Sequence, residues 1–279
     1  MSEDEFRAAL AAWREKKNLI LQGPPGVGKS FIARRLAYAL MGFRDPSRVR
    51  TVQFHQSYSY EDFIEGYRPS GNGFALKQGV FLDFCERALA DPAETYVFVI
   101  DEINRGNLSK ILGELMLLIE HDKRSPDWAV KLAYAENPDE RFYVPPNVYL
   151  LGMMNTADRS LSMVDYALRR RFTFVSLEPQ FHSEVFRSTL RASGSSAELV
   201  DVIVARFEAL NGEIADDKVH LGPGYQIGHS FFVPGTAAPD VNWYRRIIHC
   251  EIAPLLKAYW FDRPEAAESW TGKLLEKIE

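Results

Sequence analysis

Gly23-Pro24-Pro25-Gly26-Val27-Gly28-Lys29-Ser30 is the stretch whose reading decides the fold. It follows the apolar run Asn18-Leu19-Ile20-Leu21-Gln22 and precedes the helical pattern Phe31 to Leu40. A G-x-x-x-x-G-K-[ST] spacing between a strand and a helix is that of a phosphate-binding P-loop. The glycines let the backbone curl so that successive N–H groups face one anion, and the helix N-terminus adds its positive dipole end. Lys29 stands where an ammonium reaches the β- and γ-phosphates of a nucleoside triphosphate. Ser30 stands where a hydroxyl ligates Mg²⁺. A glycine-rich turn that carries a lysine by chance is the competing reading. Four constrained positions in this context leave it little room.

Downstream, Tyr96-Val97-Phe98-Val99-Ile100 reads as a strand buried on both faces, hence a member of a parallel sheet. Asp101 and Glu102 follow at its C-terminal end, where ligands of open α/β sheets sit. There Asp101 can hold Mg²⁺ through water, and Glu102 can orient and polarise an attacking water. Two acids capping the next helix would be the plain alternative if this strand stood alone. Val148 to Asn155 is a further buried strand with a polar end. Asn155-Thr156-Ala157-Asp158 approximates a guanine-reading N-K-x-D motif but lacks its lysine, so Asn155 reads better as a polar sensor for the attacking water. A helix over 161–171 ends in Arg169-Arg170-Arg171. Basic residues suit a helix C-terminus on dipole grounds alone; the sharper reading is an arginine finger acting on a neighbouring subunit's γ-phosphate.

Between these landmarks the pattern predicts helices at 6–17, 79–90 and 108–119, a strand at 49–55, and a β-hairpin insertion at about 125–146. After Pro179 the strand pattern gives way to helices at 197–210, 243–256 and 265–277. The expected division is therefore an α/β domain over 1–178 and a helical lid over 179–279. The glycine-punctuated stretch Gly222 to Ser230 falls in that lid. His229 and Ser230 either reach a bound nucleotide or belong to a structural turn with a satisfied histidine.

The 279 residues are 46% hydrophobic and carry a net charge of −5, so bulk electrostatics does not announce a nucleic-acid binder. Two cysteines without a C-x-x-C spacing fit neither a disulfide scaffold nor a zinc site. No apolar run approaches bilayer length, and the acidic N-terminus lacks the features of a signal peptide. The expected location is the cytoplasm.

Taken together, the P-loop unit, Phe54-His55-Gln56-Ser57-Tyr58, Asp101-Glu102-Ile103-Asn104-Arg105, Met154-Asn155-Thr156-Ala157-Asp158-Arg159-Ser160 and Ala167-Leu168-Arg169-Arg170-Arg171-Phe172 resemble the McrB family of AAA+ motor domains. The resemblance runs over essentially the whole chain, including Gly228-His229-Ser230 and Ile252-Ala253-Pro254-Leu255-Leu256 in the lid. The Met-Asn-Thr-x-Asp-Arg-Ser stretch is its most specific part. The resemblance implies an AAA+ fold, a parallel sheet of order 5-1-4-3-2 with a helical lid, and a ring, expected to be hexameric. It implies GTP at the subunit interfaces, with ATP as the runner-up, together with Mg²⁺. A McrC-like endonuclease subunit is the implied partner, and DNA contact is expected through the assembled complex. Carried over by position, Gly23 to Ser30 hold phosphate, Ser30 and Asp101 hold the metal, and Glu102 serves water. Asn155 is the first sensor, Asp158 and Arg159 belong to the signature loop, and Arg170 or Arg171 acts in trans. Members of the family carry an N-terminal domain that recognises modified cytosine, whereas only a short helix precedes this P-loop. The match is to the motor alone.

Overall fold

The computed structural model describes residues 1–158, 166–235 and 239–276. They fall into two compact units. One comprises Met1–Gln22, Lys29–Met154 and Asp158–Ser176; the other comprises Gly23–Gly28, Asn155–Ala157 and Leu177–Glu279.

The first unit is organised on a sheet. In chain order the strands are β1 (Asn18–Gly23), β2 (Val49–Gln53), β3 (Glu65–Ser70), β4 (Gly73–Gln78), β5 (Tyr96–Asp101), β6 (Val148–Asn155) and β7 (Thr173–Ser176). Five of them form one sheet in the order β2-β5-β6-β1-β7, which is 5-1-4-3-2 when those five are counted along the chain. The pairs β1–β7, β2–β5 and β5–β6 run parallel. Leu19, Ile20, Leu21, Val97, Phe98, Val99, Leu150 and Leu151 are all buried, as strands covered on both faces require. The α/β fold expected from the sequence is the one observed.

Helix Glu3–Lys16 starts in a capping box at Ser2 and Glu5 and ends where Lys17 turns left-handed at φ 64°. Its Trp13 is fully buried and donates to the Leu150 carbonyl at 2.9 Å. Beside it lies a buried polar hub. The Asn18 amide donates to the carbonyls of Ile119 (2.8 Å) and Arg171 (3.0 Å). Arg124, 4% exposed, donates to Asn18 Oδ1 (2.6 Å), to Ile119 O (2.9 Å) and to Val148 O. Burial pushes this guanidinium down to about 10.

Three segments differ from their sequence reading. The apolar stripe over 108–119 is not one helix but two short ones, Leu108–Leu112 and Leu115–Leu118. Gly113, at φ 51°, breaks the run, a conformation open to glycine. Residues 65–78 form an unforeseen antiparallel hairpin of β3 and β4. Its two-residue turn has Gly71 at φ 57°, the first central position that type II′ turns give to glycine. Within 125–146 the antiparallel pairing is a single bridge, Val130 with Phe142, flanked by the 3₁₀ turn Pro126–Trp128. Pro138, Pro145 and Pro146 cannot donate to a longer ladder. The segment instead buries Leu132, Phe142 and Val144.

The rest of the second unit is helical, with helices Glu184–Ala192, Ala197–Asp216, Val241–Ile247, Ala253–Tyr259 and Pro264–Leu275. They close on Phe181, Phe207, Phe232, Tyr244 and Trp260, all essentially inaccessible. A π turn over Ile248–Ile252 joins the third and fourth helices just before Pro254, which has no N–H to continue a regular ladder. Among the described residues, no helix is long and apolar enough to cross a membrane.

Candidate nucleotide-binding site

The loop between β1 and helix Lys29–Met41 is held from behind by backbone groups. The Gly228 N–H donates to Pro25 O at 2.9 Å and the Ser230 N–H to Gly26 O at 2.8 Å. Each peptide unit is planar and trans, so its N–H points opposite to its C=O. The N–H groups of Gly26 and Val27 are thereby aimed away from residues 228–230. Gly26 and Gly28 adopt φ of 78° and 83°, where a side chain is strained. The start of the loop is fixed by the Thr156 N–H, which donates to Gly23 O at 3.2 Å. A Cβ on Gly23 would stand 2.4 Å from the Leu177 carbonyl oxygen. This curled backbone, with donors turned to one side at a helix N-terminus, fits a phosphate group.

Lys29 opens the helix, half-buried. Burial lowers its ammonium to about 8, against the opposing pull of Glu102, Asp101 and Asp158. Ser30 follows, exposed. Its hydroxyl and the Asp101 carboxylate are hard oxygen donors of the kind Mg²⁺ prefers. At the end of β5, Asp101 accepts the Glu102 N–H at 3.0 Å. Glu102 sits at φ 50°, ψ 44°, a left-handed conformation rare for a residue with a Cβ and typical of functional positions. Arg105 grips two acids at once: its Nε lies 3.2 Å from Glu102 Oε2 and its Nη2 2.9 Å from Asp158 Oδ2.

Parallel pairing of β5 and β6, with Ile100 opposite Gly152, explains how residues fifty positions apart in sequence meet here. Asn155 ends β6, and Thr156 beyond it also donates its hydroxyl to Gly224 O at 2.9 Å. Arg159 and Ser160 lie outside the described residues, as do residues 161–165 of the expected helix. Of the arginine run, Arg171 is 8% exposed with Nη2 at 2.7 Å from Glu120, whereas Arg170 is 70% exposed. Arg169 lies over the Phe174 ring, 5.8 Å from its centroid. His229 is not turned into an open turn: its Nδ1 accepts the Gln180 N–H at 3.2 Å, between the edges of Phe181 and Phe186. Burial lowers this imidazole to about 4, so it is neutral.

In the sequence Arg105 and Thr156 stand within motifs and carry no role of their own. Arg105 had a signal, a cation three residues after a catalytic-type acid. Thr156 and the Gly228 N–H had none, because their partners are backbone carbonyls far away in sequence.

A P-loop, two acids ending the third strand of a 5-1-4-3-2 sheet and a helical unit after the fifth strand define an AAA-type nucleoside triphosphatase. The chain belongs to the AAA family: the AAA domain of the dynein-related subfamily matches residues 18–172. Residues 202–268 match the alpha-helical lid domain of McrB, which makes this a McrB-type member. Over 263 residues the chain is 55% identical to the type IV methyl-directed restriction enzyme EcoKMcrB subunit of Escherichia coli (strain K12), covering 93% of this chain and 57% of that relative. It is 27% identical over 250 residues to the type II restriction enzyme BsuMI component YdiS of Bacillus subtilis (strain 168), with 74% of this chain and 71% of that protein covered. The chain thus spans little more than half the length of the Escherichia coli relative.

Proposed function

We propose that this chain is a GTP-hydrolysing AAA+ motor that assembles into a ring, expected to be hexameric. In this reading the ring powers DNA translocation and cleavage by a McrC-like endonuclease subunit of a modification-dependent restriction system in the cytoplasm. The observation that carries the nucleotide chemistry is the curled loop with Gly26 and Gly28 at positive φ, followed by the half-buried Lys29, whose ammonium feels the charges of Glu102, Asp101 and Asp158. The kinship with a restriction-enzyme subunit supports the wider role. Within this reading, residues 1–178 form the nucleotide-binding domain and residues 179–279 the lid. The loop Gly23 to Ser30 and Lys29 hold the phosphates, Ser30 and Asp101 hold Mg²⁺, and Glu102 takes the attacking water with Asn155 as its sensor. Mg²⁺ supplies charge neutralisation between phosphate oxygens when bound. Asp158 and Arg159 order the signature loop. Arg170, exposed, is the better-placed finger for a neighbour, and Arg171 its buried support. The test is turnover with GTP and with ATP, alone and with a McrC-type subunit. Turnover of ATP but not GTP, or of neither in the presence of that subunit, overturns the proposal.

A second reading, an assembly switch with negligible turnover alone, is favoured by one observation. Arg105 engages the Glu102 carboxylate and Asp158 together, which occupies the group that would act on water. Arg105→Gln should then raise the basal turnover of the isolated chain with nucleotide affinity unchanged. A drop in turnover would make Arg105 an orienting group instead.

A further inference from the structure

The phosphate loop is shaped from outside its own strand and helix. Its carbonyls at Pro25 and Gly26 are taken by the N–H groups of Gly228 and Ser230, and its first carbonyl, Gly23, by the N–H of Thr156. Thr156 then spends its hydroxyl on Gly224 O, four residues before Gly228. The approach is as close as a backbone allows. A Cβ on Gly228 would lie 1.9 Å from the Gly26 carbonyl carbon and 2.3 Å from Val27 N, and one on Gly224 would lie 3.1 Å from Thr156 O. Neither glycine has a positive-φ requirement at 228, where φ is −79°, so contact and not torsion demands glycine there. Residues 23–28 and 155–157 accordingly cluster with 177–279 and not with the strands and helix that flank them in sequence.

Resting on the nucleotide reading above, we infer that Gly228 and Thr156 are positioning residues for triphosphate binding: they set the loop's curl and never touch the ligand. Backbone hydrogen bonds to Pro25 and Gly26 orient the Gly26 and Val27 N–H groups towards the anion. The Thr156–Gly224 bond ties that orientation to the end of the sensor strand. His229, half-buried and accepting the Gln180 N–H at its Nδ1, serves as the peg that keeps residues 228–230 in register.

The experiment titrates the full chain with Mg²⁺-GTP and Mg²⁺-ATP by calorimetry, alongside hydrogen exchange of the peptide covering 224–230. Gly228→Ala forces the 228–230 segment back and removes two backbone bonds, so affinity should fall at least about thirtyfold. Thr156→Val, near-isosteric, removes one bond and should weaken binding about three- to tenfold, while Thr156→Ser restores it. Exchange should rise at Gly228 and Ser230, whose N–H groups make the bonds to the loop, in the two impaired variants, with exchange in β1 and β5 unchanged. If Gly228→Ala does not fold, the Val and Ser pair decides alone. Wild-type affinity in Thr156→Val, or failure of Thr156→Ser to rescue it, refutes the inference. A wild-type chain that binds neither nucleotide refutes the nucleotide reading instead.

Discussion

Lys29 gives the most quantitative handle on the site. In the free chain burial holds its ammonium at about 8 where a solvated lysine has 10.5. Three phosphate groups arriving against it favour the charged form strongly and should return it at least to the ordinary value. Binding must then take up a proton wherever the free site has lost one: about half a proton at pH 8 and nearly a whole one at pH 9. Affinity should weaken by about thirtyfold between pH 7 and 9.5, a penalty of about 2 kcal/mol. Folding responds in the opposite sense. The unfolded lysine binds more protons than the folded one between pH 8 and 10.5, so the free chain gains stability as pH rises through that window. The assay is isothermal titration of Mg²⁺-nucleotide in buffers of different ionisation enthalpy, which counts protons directly. Lys29→Arg keeps its charge across the range and should bind with flat pH dependence, however weakly. An affinity that stays level from pH 7 to 9.5 in the wild type, with no proton uptake at pH 8.5, would refute the reasoning.

Glu102→Gln should keep nucleotide binding while turnover drops by a factor of about a hundred or more, read by phosphate release. Wild-type kcat would move the water-activating role elsewhere. Arg170→Ala should lower turnover without shifting the melting temperature, and mixing it with Lys29→Ala protein should recover some activity; no recovery in proven mixed rings would end the trans-acting idea. Arg171→Ala should instead destabilise the fold by about 1 kcal/mol, because Glu120 loses its buried partner and keeps Lys123 and Arg170; an unchanged denaturation midpoint would contradict that. His229 is depressed to about 4 in the fold against 6.5 unfolded, so the unfolded chain binds more protons in between. Stability is full above pH 6.5 and declines as pH falls towards 4. His229→Phe should flatten that decline in thermal melts, and an unchanged slope would remove His229 from the account.

The sheet and the phosphate loop were legible because their signals are local. Continuous apolar runs name buried strands, and the loop's glycines and lysine must stand at fixed offsets. The hairpin 65–78 carried a legible turn, Gly71-Asn72-Gly73, but Pro69 and the mixed aromatic and polar residues before it hid the strands. The break at Gly113 is hidden in the sequence because the apolar period continues through it undisturbed. The arginine run shows a different limit. Sequence alone could not separate Arg170 from Arg171, since one side chain is buried against Glu120 and its neighbour is not, a distinction set by residues some fifty positions earlier. The lid's hold on the phosphate loop was wholly silent. Hydrogen bonds between main chains leave no side-chain code, and the one visible trace is that residue 228 is glycine.

The hub formed by Asn18 and Arg124 has a bearing on how the arginine run tolerates its surroundings. Among the described residues Arg124 meets no carboxylate; its charge is answered by carbonyl and amide oxygens. Such oxygens do not titrate in the physiological range, and buried ion–dipole contacts are screened little by salt. Asn18, held by Arg124, in turn grips the Arg171 main chain. Acid strong enough to protonate Glu120 would therefore loosen the Arg171–Glu120 ion pair first and leave the backbone beneath it in place. The mount that carries Arg170 is built to outlast its own electrostatics.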